Sequence, residues 1–172
     1  MIINLNDWID AAQSAQGETP ASEFANLGDL LQGRLGAVRW HVTTARHATQ
    51  GAAFVAELEP FQRFLNVQAQ ANGVTTCPRC LGDLPVTIEV DNTLQVFQTE
   101  AAADASAMNE DADAQPDPIV TSRQFNLIAQ IEEELLLALD LHRVHNPQCE
   151  LPQETASSKP NPFAALAGLK LN

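Results

Sequence analysis

Basic residues are scarce in this sequence. Its 172 residues include 9 Lys and Arg against 22 Asp and Glu, a formal net charge of -13 at pH 7. Proteins that hold RNA by bulk electrostatics rely on clustered Lys and Arg, so the overall charge argues against that mode of binding. Hydrophobic residues make up 45% of the chain, which argues against a wholly disordered protein.

Export signals and long apolar runs are also lacking. Residues 1–8 show no basic start before an apolar run, and nowhere do about 18 apolar residues follow one another without charge. The three cysteines, Cys77, Cys80 and Cys149, are an odd number, which makes a disulfide framework a poor explanation. We therefore expect a soluble cytoplasmic protein with reduced thiols and no membrane contact.

Several catalytic motifs are absent. The sequence has no Gly-rich phosphate loop, no Gly-x-Ser-x-Gly and no His-Glu-x-x-His, so the chemistries that depend on these motifs are not expected. Glu132, Glu133 and Glu134 are of the residue type used in acid–base catalysis, but on a helix we expect a charged face instead. Consecutive helical residues point about 100° apart, so the three cannot all face solvent equally. We expect no enzyme and no small-molecule substrate.

Alternating apolar and polar residues predict the centre of the fold. The alternation covers residues 38–43 and returns over 84–90, as a strand with one dry and one wet face requires. A hairpin around residues 50–51 is expected to lead into a strand over 53–56. Short strands separated by turn residues are typical of an antiparallel sheet or a partly closed barrel.

Helical spacing of apolar residues predicts the layer that packs on this sheet. A first helix is expected to end near Gly17, and Asn126 can cap a longer helix over 126–140 with a wide apolar stripe. The predicted fold class is therefore α+β, a single domain over residues 1–150 with helices packed on the sheet.

Two segments are expected outside the packed fold. Residues 100–118 contain six acids, no base and two Pro without periodicity, which predicts an acidic flexible insert. Residues 151–172 are interpreted as a linker and a C-terminal docking segment with a short helix. A helix this short needs a surface, either on its own domain or on a partner protein. Its apolar face consists of Phe163, Leu166 and Leu169.

The middle of the chain is its basic part. Residues 33–80 carry five Arg against two Glu, a sum of +3. This excess predicts an RNA-facing surface, although the same density of Arg also fits a solvated sheet face. The predicted RNA-binding residues are Arg34, Arg39, Arg46 and Arg63.

Residues 77–82, Cys-Pro-Arg-Cys-Leu-Gly, have the form of a zinc knuckle. Two thiolates around a tight turn can point at one ion, and Gly82 lets the backbone approach the sulfurs. A His and a Cys farther along can complete a tetrahedral Cys3His site, which would be structural because the protein supplies every ligand. The alternative is that the thiols pack as small apolar groups. The predicted zinc ligands are Cys77, Cys80, His145 and Cys149, with His142 as a further candidate.

A zinc-free dithiol redox protein is the alternative for the Cys-x-x-Cys motif. In thioredoxin-like proteins this motif opens a helix, which lowers the pKa of the first thiol. Here the alternation of residues 86–90 predicts a strand after the motif, which argues against redox catalysis.

Three blocks together resemble the YceD family, the large ribosomal RNA subunit accumulation proteins. They are Thr-Cys-Pro-Arg-Cys-Leu at 76–81, the leucine-rich helix at 127–141 with a His and a Cys beyond it, and the tail at 160–170 that begins Pro-Asn-Pro-Phe. The resemblance implies a non-enzymatic role in accumulation of 23S ribosomal RNA and in large-subunit assembly. It implies partners among pre-ribosomal RNA, ribosomal proteins and assembly factors. Direct RNA contact and an acidic adaptor for a basic ribosomal protein both remain open.

Overall fold

Strands form the larger part of the regular secondary structure among the residues that the structure describes. The computed structural model describes residues 1–48, 61–108, 115–145 and 149. In chain order its strands are β1 Ile2–Ile3, β2 Ser14–Thr19, β3 Val38–Ala48, β4 Phe61–Thr76, β5 Asp83–Phe97, β6 Asp117–Val120 and β7 Phe125–Asn126. Its α-helices are α1 Leu5–Asp10, α2 Ala25–Leu30, α3 Glu100–Ala107 and α4 Leu127–Ala138, with a short 3-10 helix at Ala21–Glu23.

The main sheet has five strands in the order β2-β3-β4-β5-β6, and β1 pairs with β7 in a separate two-stranded ribbon. Its pairings are antiparallel except that of β5 with β6, which is parallel. A parallel pair needs a long crossover connection, and the segment that contains α3 provides it. The α+β class predicted from the sequence is confirmed. The sequence predicted either an antiparallel sheet or a partly closed barrel. The structure has a sheet that is not closed into a barrel, and it is mixed because one pairing is parallel.

One face of the main sheet is apolar and carries the helices. The predicted alternation is confirmed, because Val38 and Val42 on β3 and the even-numbered residues 84–90 on β5 are all buried. Leucine and isoleucine side chains from α1, α2 and α4 complete the same core, and each such burial contributes about 1.5–3 kcal/mol. The opposite face is polar along β3, β4 and β5.

The N-terminal region differs from the prediction. Helix α1 ends at Asp10, and residues 14–17, which were expected to belong to it, lie in the edge strand β2 instead. Gly17 lies opposite Trp40 in the register, where a Cβ atom would approach the Trp40 ring to 3.1 Å. A glycine therefore suits this position because the strand passes directly against an indole.

Helix α4 begins and packs as the sequence predicts. The Asn126 side chain caps it by accepting a hydrogen bond from the Ala129 backbone N–H at 3.4 Å. Leu127, Ile131 and Leu135 are fully buried along one stripe. At 12 residues α4 is the longest described helix, and none of the described helices has the length and apolarity to cross a bilayer.

The three glutamates of α4 do not face solvent equally, as expected, but the charged face is wrong for two of them. Glu133 is exposed, but Glu132 and Glu134 are 8% and 5% exposed. Glu132 accepts hydrogen bonds from the Leu27 backbone N–H at 3.0 Å and from the Asn26 amide at 3.2 Å. It thereby satisfies a free N–H in the first turn of α2, a group that a buried helix start must pair.

The second buried carboxylate on α4 ties the helix to the sheet. Glu134 accepts hydrogen bonds from the Asn92 amide on β5 at 2.8 Å and from the Gln130 amide at 3.1 Å. Buried carboxylates cost free energy unless hydrogen bonds compensate them. Both glutamates therefore fix the position of α4 over the sheet.

The prediction of a flexible insert over residues 100–118 is wrong for the parts that the structure describes. Residues 100–107 form helix α3, capped by the Thr99 hydroxyl, and residues 117–118 begin β6. Alanine has the highest helix propensity, so the Ala-rich run forms a helix without an amphipathic pattern. Only Ala103 of this helix is buried.

Four predicted features lie outside the described residues. They are the hairpin at 50–51, the strand at 53–56, the middle of the acidic insert at 109–114, and the C-terminal docking segment at 151–172. The single domain predicted for residues 1–150 stays a prediction.

Replacing Glu132 by Ala should lower the free energy of unfolding by about 1–3 kcal/mol, because a buried backbone N–H of α2 loses its acceptor. Urea unfolding followed by circular dichroism measures this change. Glu133→Ala on the same helix is the matched control and should change the stability by less than about 0.5 kcal/mol, since Glu133 is exposed. Equal effects of the two substitutions would contradict a capping role.

Candidate metal centre

The turn between β4 and β5 presents the first two candidate ligands. The last paired residues of the two strands are Thr76 and Asp83, so residues 77–82 form the hairpin connection. The Cys77 N–H donates to the Gly82 carbonyl, and the Leu81 N–H donates to the Cys77 carbonyl, each at 2.9 Å. These two hydrogen bonds close the turn, with Cys77 buried and Cys80 half-buried.

The left-handed residue of this turn is Leu81, with φ of +59°, and not Gly82. A Cβ atom on Gly82 would lie 3.5 Å from Cys80 Sγ, an ordinary van der Waals distance. The close approach expected of Gly82 is therefore not required. The strain of the turn is carried by Leu81, whose side chain is 65% exposed.

The segment after α4 supplies the second pair of candidate ligands. One ligand atom from each of the four predicted residues lies within 4.8 Å of the others. Tetrahedral zinc with Zn–S bonds of about 2.3 Å separates its sulfurs by about 3.8 Å, so small side-chain shifts bring the set to that spacing. The residues that the structure brings together are Cys77, Cys80, His145 and Cys149.

A backbone carbonyl orients the His145 ring. His145 Nε2 lies 2.6 Å from the Asp83 carbonyl oxygen, which only accepts, so Nε2 carries the proton and donates. Nδ1 then faces the thiols, 3.3 Å from Cys80 Sγ. Metal-bound histidines commonly donate their second ring N–H to such an acceptor. His145 therefore has the orientation that a metal ligand needs, and metal binding would displace any proton from Nδ1.

Hydrogen bonds favour the charged forms of both His145 and Cys77. The Asp83 carbonyl raises the pKa of His145 above its ordinary 6.5, and the Cys77 thiol raises it further. Burial raises the pKa of the Cys77 thiol, but hydrogen bonds from the backbone at Cys80 and His145 outweigh burial and lower it from 9.0 to about 6. Cys77 is thus mainly a thiolate at neutral pH, the form that binds metals.

The position of the Cys-x-x-Cys motif differs from that in thioredoxin-like proteins. The residue after the motif's turn begins strand β5, whereas a redox motif of that kind opens a helix. The predicted strand after the cysteines is therefore present. The lowered pKa of Cys77 is nevertheless a property that reactive redox thiols share.

The four arginines predicted to bind RNA do not form one surface. Arg34 forms an ion pair with Asp83, beside the cysteine turn. Arg39 lies on the polar face of the sheet and donates to Gln70 at 2.6 Å. The other two lie together at the far end of β3 and β4, where both approach one carboxylate. They are Arg46 and Arg63, near Asp10 of α1.

Sequence reasoning did not identify two features of these sites. The Asp83 carbonyl that holds His145 is a backbone atom, so no residue type signals it. Phe61, whose ring centre lies 4.3 Å from the Arg46 guanidinium carbon, did leave a signal, because it stands two residues before Arg63 in a stretch without acids.

The family model for the large ribosomal RNA subunit accumulation protein YceD matches residues 65–170. That match covers more than half of the chain and includes α4 and the four clustered Cys and His residues. No solved structure matches the chain. The protein therefore belongs to the YceD family of large ribosomal RNA subunit accumulation proteins.

Proposed function

We propose that this chain is a non-enzymatic ribosome biogenesis factor that supports accumulation of 23S ribosomal RNA and assembly of the large subunit. It acts by binding pre-ribosomal RNA, ribosomal proteins or other assembly factors in the cytoplasm. The observation that carries this proposal is the family match over residues 65–170, which spans the cysteine turn and α4. Four ligands from the protein would fill a tetrahedral zinc site and leave no coordination position for a substrate, which favours binding over turnover.

The proposed cofactor is one structural zinc ion held by Cys77, Cys80, His145 and Cys149. Support comes from the clustering of four donors of the type zinc prefers and from the orientation of His145 by Asp83. The ion would join the segment after α4 to the turn of the β4–β5 hairpin. Zinc binding of this kind stabilises the folded state directly.

Elemental analysis of the purified protein should find about one zinc per chain. His145→Ala should reduce this to well under half an equivalent and lower the thermal unfolding temperature, because one of four ligands is lost. His142→Ala is the matched control, since His142 lies close in sequence but outside the cluster, and it should retain the zinc. A metal-free wild-type protein that reduces a disulfide substrate would instead favour the dithiol redox alternative.

The C-terminal segment is proposed to dock on a partner through Phe163, Leu166 and Leu169. A short helix with one small apolar face is marginal in water and gains stability from a surface. The support for this step is the sequence pattern, together with a family match that extends to residue 170.

Replacing Phe163 and Leu166 together by Ala should remove the main partners from a pull-down of the tagged protein from cell extract. Thermal unfolding measured by circular dichroism should stay unchanged. A drop in thermal stability with partners retained would show that the segment docks on its own domain. Lys170→Ala, which leaves the apolar face intact, is the control and should retain the partners.

Removing the protein from its cells should reduce 23S ribosomal RNA relative to 16S and reduce the large-subunit peak in sucrose gradients. Expression of the wild-type chain should restore both. His142→Ala should restore them equally, whereas His145→Ala should restore them only in part, because the zinc-bound fold is lost. Normal large-subunit levels in cells without the protein would refute the proposed function.

A further inference from the structure

The polar face of the main sheet forms a shallow trough over four strands. Strands β2 and β5 border it, β3 and β4 form its floor, and its volume is about 860 Å³. The strand register places its polar side chains in two rows across the sheet. The first row is Glu18, Arg39, Gln70 and Glu89, and the second is Gln16, His41, Gln68 and Asp91. All of these except Gln70 are exposed, so a ligand can reach them.

The trough carries negative charge. The described residues that line it include three carboxylates, those of Glu18, Glu89 and Asp91, against the guanidinium of Arg39. With histidine counted as neutral, these charges sum to -2. The ion pairs among the described residues use other carboxylates. The trough carboxylates are therefore available to a cationic ligand.

Glutamine amides hold the two carboxylates of β5 without neutralising them. Gln70 donates to Glu89 at 2.9 Å and accepts from Arg39 at 2.6 Å. Gln68 donates to Asp91 at 3.3 Å. A side-chain amide has two N–H donors and an oxygen with two lone pairs. Both glutamines therefore retain groups that can pair with the backbone of a ligand.

The spacing of the carboxylates matches an extended chain. Glu89 and Asp91 stand two residues apart on β5, a separation of about 6.8 Å along the strand. Alternate side chains of an extended peptide have the same spacing and point to the same side. Adjacent strands lie about 4.8 Å apart, so about 14 Å separates β2 from β5. That width accommodates one extended chain whose long side chains reach toward both borders.

We propose that this trough binds an extended segment of a partner protein that is rich in Lys and Arg. Basic side chains at alternate positions pair with Glu89 and Asp91, the intervening side chains face Glu18, and the backbone lies over the glutamines. The carboxylates repel the phosphates of RNA, and a net charge of -13 disfavours a second copy of this chain as the occupant. The inference rests on the proposed function and specifies its protein partner as a basic one.

Fluorescence anisotropy of the full-length protein as purified, with two labelled peptides, tests this site. Both peptides have about twelve residues and the same content of Lys and Thr. Lys occupies every second position of a central run in the alternating peptide and every third position in the spread peptide. The alternating peptide should bind about threefold more tightly, because its neighbouring Lys side chains reach both carboxylates of β5. Its affinity should fall as salt is raised.

Neutral variants of similar shape separate the trough from the rest of the acidic surface. Glu89→Gln with Asp91→Asn removes two charges but keeps both hydrogen-bond acceptors, so thermal unfolding should stay unchanged. The Kd for the alternating peptide should rise about fivefold. Glu23→Gln with Glu133→Gln is the matched control, because it removes the same charge from exposed positions outside the trough. It should change the Kd by less than about twofold.

Arg39 distinguishes a basic peptide from RNA. Arg39→Ala removes a positive charge from the trough, so the alternating peptide should bind about twofold more tightly. If RNA were the ligand, a labelled oligouridine of about 12 nucleotides would bind in place of the peptides, and Arg39→Ala would weaken its binding. That result overturns the peptide assignment.

Absence of peptide binding at low salt, equal affinities of the two peptides, or equal effects of the two double variants would also overturn the trough as a peptide site. If the chain's own tail filled it, Lys159→Ala with Lys170→Ala would tighten peptide binding at least about threefold, and the assignment to a partner would fail. These results leave the proposed function standing, because it is measured by 23S ribosomal RNA in cells. Peptide binding as expected, with normal large-subunit levels in cells without the protein, refutes the proposed function alone.

Discussion

Strands β4 and β5 pair over fourteen positions, from Arg63 with Val96 to Thr76 with Asp83, and the rest of the molecule depends on this register. It turns one set of side chains toward the helices and exposes the other set. A slip by one residue would reverse both faces, because side chains alternate along a strand. The same register fixes the connection, so that the two cysteines of the turn lie at one end of the sheet.

Helix α4 covers the apolar face of the β4–β5 hairpin. Its apolar stripe packs on β4 and β5, and its two buried glutamates accept hydrogen bonds from α2 on one side and from β5 on the other. Directional hydrogen bonds restrict the position of a helix more closely than apolar contact does. Because α4 is held in this way, the chain that follows it returns His145 and Cys149 to the cysteine turn.

The features that local sequence encodes are the ones that could be predicted. Alternation identified β3 and β5, the capping asparagine identified the start of α4, and the motif spacing singled out four residues that the structure brings together. The strand and cap signals lie within a few residues of the features that they describe. The two pairs of candidate ligands are far apart in the chain, with a separation of 65 positions between Cys80 and His145, and residue type alone connects them. Whether the four residues hold zinc stays a prediction.

The features that were missed depend on distant partners or on weak patterns. The acceptor role of Glu132 comes from Asn26 and Leu27, more than a hundred residues away in the chain. Strand β2, Ser-Ala-Gln-Gly-Glu-Thr, has few apolar residues and therefore carries no clear alternation. Helix α3 is built from alanine, whose helix propensity leaves no periodic trace.

The position of Cys149 also sets the reach of the C-terminal segment. Phe163 lies 14 residues beyond Cys149, and an extended chain of that length spans at most about 50 Å. If Cys149 left the cluster, the next anchored residue upstream would be His145, which the Asp83 carbonyl holds, and the limit would rise to about 65 Å. The largest volume that Phe163 could reach would then grow about twofold, so the position of Cys149 limits the effective concentration of the tail at any nearby surface.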